Sequence, residues 1–192
     1  QRGLGRVEAF AAHPWQDSLL LVLGVLVAAL FASGHNLQAR AWLATPFIVL
    51  SVLHGLRLWR WHLLGIWRVP LLWSLHLAYA WLLLATLGMV AWHLGWLAQP
   101  SLASHALAVG AMGGLILAMM ARVSLGHTGR ALQPPRAMAW AFGLLNLGAL
   151  IRVSAGSDWL WLAALCWSLA FALFAWYYAP MLCQARVDGH PG

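Results

Sequence analysis

Nine histidines stand out in this chain of 192 residues, because 63% of the residues are hydrophobic and only 8% are charged. An ionisable side chain is costly inside a membrane, so one that is retained there marks a candidate site. Neutral imidazole is a common ligand of copper and of haem iron. Histidines that fall within apolar stretches therefore indicate a metal or haem site.

His54 and His76 are predicted to lie at one level within the membrane. At about 1.5 Å per helical residue, both fall about 10 Å from the same membrane boundary, on neighbouring antiparallel helices. Two imidazoles at one depth can bind haem iron from both axial sides, or supply two ligands to a copper ion. Alternatively, each ring is hydrogen-bonded to a neighbouring helix and only holds the bundle together.

His105, Met112 and Met119 recur every seven residues along another apolar stretch. A seven-residue repeat keeps side chains on one helix face, with a drift of only about 20° per step. Imidazole and thioether ligands together suit copper(I). Methionine also fills irregular gaps in apolar cores, so ordinary packing is the alternative. Gly110 and Gly114, in the same stretch, form a small-residue pair that allows close helix packing.

The segment RVSLGHTGR, from Arg122 to Arg130, combines two glycines, two hydroxyl side chains, two arginines and His127. Its glycines predict a tight turn, and its arginines can bind an anion such as a haem propionate through paired hydrogen bonds. It lacks the lysine and the spacing of a nucleotide-binding P-loop. The alternative is a solvated, positively charged turn.

Six apolar stretches are long enough to cross a hydrocarbon core of about 30 Å, which takes about 20 helical residues. We predict these spans at residues 18–34, 41–61, 70–96, 101–122, 134–154 and 158–182. A soluble domain carries about 25% charged residues, so a soluble enzyme is excluded, and the high apolar content excludes a disordered chain. The sequence therefore predicts an all-α, polytopic membrane helix bundle that forms a single transmembrane domain.

The arginines predict the orientation of this bundle. Nine of the eleven fall on the side of the membrane that holds both termini, and only Arg40 and Arg152 fall on the other side. Positive charge is retained on the cytoplasmic side, so both termini are expected there. The arginines form no basic stripe, so the expected surroundings are membrane lipid and not nucleic acid. Arg152, late in the fifth span, is expected to have an anionic partner.

No catalytic constellation is visible in the sequence. The four acids, Glu8, Asp17, Asp158 and Asp188, all lie at span ends or termini. No buried carboxylate is then available for acid–base catalysis or for proton-coupled transport. Cys166 and Cys183 are predicted about 25 Å apart along one helix, too far for a disulfide. The residues therefore indicate no enzyme class.

Three segments resemble the NnrS family of bacterial membrane proteins. They are HALAVGAMGGLILAMMARVSLGHTGR at residues 105–130, PLLWSLHLAYAWL at 70–82 and ARVDGHPG at 185–192. The resemblance implies a polytopic protein that contains haem and copper and acts in nitric oxide metabolism or in the response to nitrosative stress. Family members have about twelve spans, so this chain resembles their C-terminal half, and an N-terminal half is an expected partner.

The resemblance also implies individual site residues by their position in these segments. His76, His105 and His127 are the candidate metal ligands, with Arg122 and Arg130 as supporting groups. Nitric oxide is an implied ligand, and the bacterial inner membrane is the implied location. Two alternatives remain open: a cytochrome b-type electron-transfer subunit, and a metal-free transporter or structural bundle.

Overall fold

The computed structural model describes residues 14–155 and 157–189, and this part of the chain contains helices and turns but no strand. Its six long helices are α1 Pro14–Ala32, α2 Ala44–Trp61, α3 Pro70–His93, α4 Ser101–His127, α5 Ala137–Ser154 and α6 Leu160–Leu182. Short 3-10 helices lie in the connections, at His35–Leu37, Ala41–Leu43, Leu64–Arg68 and Ser157–Trp159.

Six helices, two of them extended by a flanking 3-10 turn, are long and apolar enough to cross a membrane. The predicted all-α polytopic bundle is therefore confirmed. Arg2 and Arg6, which contributed to the predicted orientation, lie outside the described residues, as do Glu8 and the end of the third matching segment at 190–192.

The largest apolar core lies between the last three long helices and the start of α3. Its fully buried members include Leu117, Ala121, Met138, Leu145 and Tyr178. Helix α3 packs against α4 and also carries α2 on its other side, where Phe47 and Met89 form a smaller cluster. Because both groups of helices pack on α3, this helix connects the two parts of the bundle.

Helix α1 lies at the edge of the bundle, with only Gln16 and Leu20 buried. The Gln16 amide donates a hydrogen bond of 2.7 Å to the Leu53 carbonyl of α2, and Asp17 forms an ion pair with Arg57. The Arg57 guanidinium also lies over the Trp61 ring, 5.4 Å from its centroid. Polar contacts near one end therefore attach an otherwise lipid-exposed helix.

Helix α4 changes its winding along its length. Residues Ala106–Met112 form a π-helix between two α-helical parts. A Cβ built on Gly110 would overlap the Trp81 indole, and one on Gly114 would lie 2.9 Å from the Ala78 Cβ. The small-residue pair is therefore a close packing contact against α3, as predicted from the sequence.

The end of α4 differs from the prediction, because the helix continues past residue 122 to His127. It ends where Gly129 adopts a positive φ of 71°. The Arg130 amide then donates a hydrogen bond of 2.9 Å to the Leu125 carbonyl, as in a Schellman cap. Only the glycine with a left-handed backbone ends this helix, and Gly126 is simply helical.

The two ends of the bundle differ in charge. One end, which we call the arginine-rich end, is where α2, α4 and α6 finish and α3 and α5 begin. Its arginines among the described residues are Arg57, Arg60, Arg68, Arg122, Arg130, Arg136 and Arg186, whereas the arginine-poor end has Arg40 and Arg152. This asymmetry is the basis for the predicted orientation, in which the arginine-rich end is cytoplasmic.

Candidate functional site

His62 and His76 form an imidazole pair at the arginine-rich end. Their ring centroids are 5.5 Å apart and their planes are tilted by 53°. Trp67 lies beside both rings, and its ring centroid is 6.1 Å from that of His62 and 5.9 Å from that of His76. Neither imidazole is hydrogen-bonded to any other residue that the structure describes. Both rings therefore keep nitrogen atoms available for a ligand.

The backbone explains how these two rings meet. His62 is the first residue after α2, where the chain turns extended with φ −75° and ψ 112°. The 3-10 helix Leu64–Arg68 then folds the chain back, and Pro70 begins α3. His76 lies six residues into α3, so its side chain can reach back to the connection. The sequence identified His76 as a candidate ligand but not His62.

His54 is paired with Tyr79, and not with His76 as the depth estimate predicted. Its Nδ1 lies 2.8 Å from the Tyr79 hydroxyl, and the two rings make an edge contact at 5.4 Å. Tyr79 lies one helical turn beyond His76 on α3. The depth estimate was therefore correct to within about one helical turn. It contained no information on the rotation of each helix about its axis, which decides which side chains meet.

His105 has both of its ring nitrogens engaged. Its Nδ1 lies 2.5 Å from the Ser101 carbonyl, and its Nε2 lies 2.7 Å from Nη2 of Arg152 on α5. A carbonyl only accepts, so Nδ1 carries the hydrogen and Nε2 accepts from the guanidinium. The ring therefore has no free nitrogen for a metal in this arrangement, which does not favour the ligand role implied for His105.

Met112 and Met119 do not join His105 on one buried face. Their side chains are 52% and 43% exposed, whereas His105 is half-buried against α5. The predicted common face assumed regular α-helical winding, but residues 106–112 are π-helical. A π-helix has more residues per turn, so seven residues no longer return to the same face. The expected His–Met copper(I) set is not assembled here.

His93, buried at the arginine-poor end, is held by two hydrogen bonds. Its Nε2 lies 3.1 Å from the Asn36 side-chain oxygen, and the Arg40 backbone amide donates to its Nδ1 at 3.3 Å. The ring also packs on Phe47 at 5.4 Å. His93 therefore links the connection between α1 and α2 to α3, and both of its ring nitrogens are engaged in these hydrogen bonds.

The turn after α4 is docked on the C-terminal segment. The Val187 amide donates to the Thr128 carbonyl at 3.2 Å, and Arg130 Nη2 donates to Gln184 at 3.0 Å. A Cβ on Gly129 would lie 2.5 Å from the Asp188 carboxyl carbon. The turn therefore contacts the C-terminal segment. The two are distant in sequence, since Arg130 and Gln184 are 54 residues apart.

Charges in this docked region are only partly matched. Arg186 donates two hydrogen bonds to Asp188, at 2.9 and 2.6 Å, and these raise the pKa of the Arg186 guanidinium. Arg130 Nη1 is buried and has no hydrogen-bond partner among the described residues. Arg122 and His127 are exposed on the last turns of α4, so Arg122 is part of a helix and not of the predicted turn.

An apolar groove of about 360 Å³ lies between α3 and α5, lined by Leu77, Ala80, Trp81, Leu84, Asn146, Leu147 and Leu150. The Trp81 indole donates to the Asn146 side-chain oxygen at 2.9 Å, and the Asn146 amide donates to the Phe142 carbonyl at 2.8 Å. No histidine, cysteine or methionine lines the groove. The hydrogen bonds of its two polar side chains are therefore made within the protein, as expected for packing within lipid.

Metal-binding groups are sparse in the described part of the chain. No cluster there brings three or more His, Cys, Asp or Glu side chains close enough to hold a metal ion. Both cysteines are free, Cys166 buried and Cys183 exposed. The imidazole pair is therefore the most suitable donor set among the described residues, with two nitrogen ligands.

Comparison with known families adds to this geometry. A family model described as NnrS protein matches residues 1–186. The chain belongs to the NnrS family. No curated protein and no solved structure matches it. Membership of the NnrS family fits a multi-pass membrane protein of the nitric oxide response.

The NnrS-like segments noted in the sequence lie together in the fold. Residues 105–130 form most of α4 and its cap, and residues 70–82 form the first half of α3. They meet where Gly110 packs against Trp81 and Gly114 against Ala78. The described part of the third segment, residues 185–189, docks beside Gly129. The family resemblance therefore covers one continuous packing unit.

Proposed function

We propose that this NnrS-family protein binds copper at the imidazole pair, His62 and His76, as part of the nitric oxide response of a bacterial inner membrane. The observation that supports the proposal is the 5.5 Å approach of two imidazoles that have no hydrogen bonds to described residues. Imidazole is a ligand that suits copper, and two neutral rings bring no charge that would oppose the cation.

The surroundings of the pair suit a metal at the membrane boundary. Trp67 contacts both rings and limits their movement, while the exposure of His62 leaves a path for the ion. A bound copper ion would supply a centre that binds nitric oxide or transfers one electron. Its other ligands would be water, or groups outside the described residues, because no His, Cys, Asp or Glu in the described ranges completes a set of three with the pair.

Haem fits the described residues less well than copper does. His93 and His105 each use both ring nitrogens for hydrogen bonds to the protein. The groove beside Trp81 has no imidazole in its lining. We therefore assign no haem ligand to His93 or His105, and the haem expected from the resemblance would require other groups.

Orientation is part of the proposal. With the arginine-rich end in the cytoplasm, the imidazole pair would lie at the cytoplasmic boundary of the membrane. Copper carried into the cell or reduced there would then meet the site from the cytoplasm. The native Cys183, which is free and exposed directly after α6 at this end, would react with a membrane-impermeant maleimide only after the cells are opened.

The metal content of the purified protein tests the proposed function. We would purify the chain in detergent, measure copper and iron by mass spectrometry, and record absorption spectra of the reduced protein with and without nitric oxide. We expect copper at close to one ion per chain, with a spectrum that responds to nitric oxide. A protein that binds neither metal after loading would support the metal-free bundle and contradict the proposal. Iron with a haem spectrum and no copper would favour the cytochrome b-type alternative.

A further inference from the structure

Arg152, at the arginine-poor end, is a cation that has no anionic partner among the described residues. It lies in the last turn of α5 and is half-buried. Its one hydrogen bond to a described residue is the contact of 2.7 Å from Nη2 to His105 Nε2. Because His105 donates its own hydrogen to the Ser101 carbonyl, the ring that faces Arg152 is neutral.

The carboxylates of the described residues are used elsewhere. Asp17 pairs with Arg57, and Asp188 pairs with Arg186, both at the arginine-rich end. Asp158 accepts a hydrogen bond from Ser157 at 3.5 Å and forms no ion pair with Arg152. No carboxylate of the described residues therefore balances the charge of this guanidinium.

The position of Arg152 matches that of lipid headgroups. It lies two residues before the end of α5, and His105 lies four residues after the start of α4. At about 1.5 Å per residue, both are within about 6 Å of their helix ends. An arginine that cannot pair inside the protein is stabilised there by an anion from the headgroup layer.

We propose that Arg152, held in place by His105, binds the phosphodiester group of a membrane phospholipid. A guanidinium presents a planar fork of N–H donors that matches two phosphate oxygens. His105 fixes one edge of this fork, which leaves the remaining donors in a defined orientation. The backbone carbonyls at the end of α5 also attract Arg152, but they do not explain why an imidazole is fixed against it.

Lipid binding can be measured on the whole chain by native mass spectrometry from detergent micelles. The probes are phosphatidylglycerol and a diacylglycerol with the same acyl chains, which lacks the phosphate. The variants are Arg152→Gln and Arg152→Lys. The control is Arg40→Gln, at the same end, whose side chain is exposed and contacts Gln38. Thermal unfolding of each variant shows whether it is folded.

We expect wild type and Arg40→Gln to retain one phosphatidylglycerol, and Arg152→Gln to bind it at least tenfold more weakly. Arg152→Lys should bind with intermediate affinity, because a lysine keeps the charge but loses the planar fork. Diacylglycerol should not bind.

Equal lipid retention by Arg152→Gln and Arg40→Gln would overturn the proposal. Competition by millimolar inorganic phosphate would also overturn it, since the site would then bind a soluble anion. If Arg152→Gln does not fold, Arg152→Lys is compared with wild type instead. Equal retention of phosphatidylglycerol by these two proteins would contradict the proposal.

Discussion

The His54 ring is hydrogen-bonded to Tyr79, with its Nδ1 2.8 Å from the phenol oxygen. The contact joins α2 to α3 near the arginine-rich end. Trp61 also packs on Tyr79, at 5.3 Å between ring centroids, so the phenol is held from two positions on α2. This arrangement fixes the end of α2 directly before His62, and therefore affects where the imidazole pair can form.

Removing this hydrogen bond should loosen the α2–α3 contact. We expect a double-mutant cycle of His54→Leu and Tyr79→Phe to give a coupling free energy of about 0.6 kcal/mol, the average for hydrogen bonds between membrane helices, and at most about 1.7 kcal/mol. The measurement is the free energy of unfolding in mixed micelles titrated with a denaturing detergent. Additive effects of the two substitutions would show that the hydrogen bond contributes nothing to stability.

Gly114 should not tolerate a side chain. A Cβ there would lie 2.9 Å from the Ala78 Cβ of α3, and both atoms are on rigid helices. We expect Gly114→Ala to lower the free energy of unfolding by about 1–3 kcal/mol, as in other overpacked cores. Gly143→Ala is the matched control, because nothing lies within 4 Å of a Cβ at that helical position. Thermal unfolding followed by tryptophan fluorescence compares the two, and an equal effect would exclude close packing as the cause.

Gly129 should be required for the docking of the C-terminal segment. Its φ of 71° costs an alanine about 1–2 kcal/mol, and the added Cβ would meet the Asp188 carboxylate. We expect trypsin to cleave Gly129→Ala after Arg186 several-fold faster than it cleaves wild type. Gly126→Ala, in open space on the same helix, should be cleaved at the wild-type rate. Unchanged cleavage in Gly129→Ala would show that the segment is held without this turn.

Much of the fold was predictable because the apolar length of each span is a local property of the sequence. The starts of α3 at Pro70 and α4 at Ser101 were predicted at the observed residues. The end of α4 was missed because a glycine stops a helix only where the backbone becomes left-handed, and Gly126 and Gly129 are alike in sequence. The π-helix at 106–112 has no such local signal in the sequence, and in the fold its Gly110 packs against the Trp81 indole of α3.

The candidate site was predictable only in part. The choice of His76 followed from its depth within an apolar stretch, and its ring makes no hydrogen bond to a described residue but lies against that of His62. His62 was missed because it lies among arginines and tryptophans that are typical of membrane boundaries. Its contact with His76 depends on how the connection between α2 and α3 folds. Likewise, the contact of His105 with Arg152 joins residues 47 positions apart and depends on the packing of α4 against α5.

The copper affinity of the imidazole pair tests the proposed function most directly. We would titrate copper(I) against a competing chelator in wild type, in His62→Ala, in His76→Ala and in His35→Ala, an exposed histidine hydrogen-bonded to Ser33. We predict that His62→Ala and His76→Ala each weaken copper binding at least tenfold, while His35→Ala binds as wild type does. Wild-type affinity in both His62→Ala and His76→Ala would contradict a copper site at this pair.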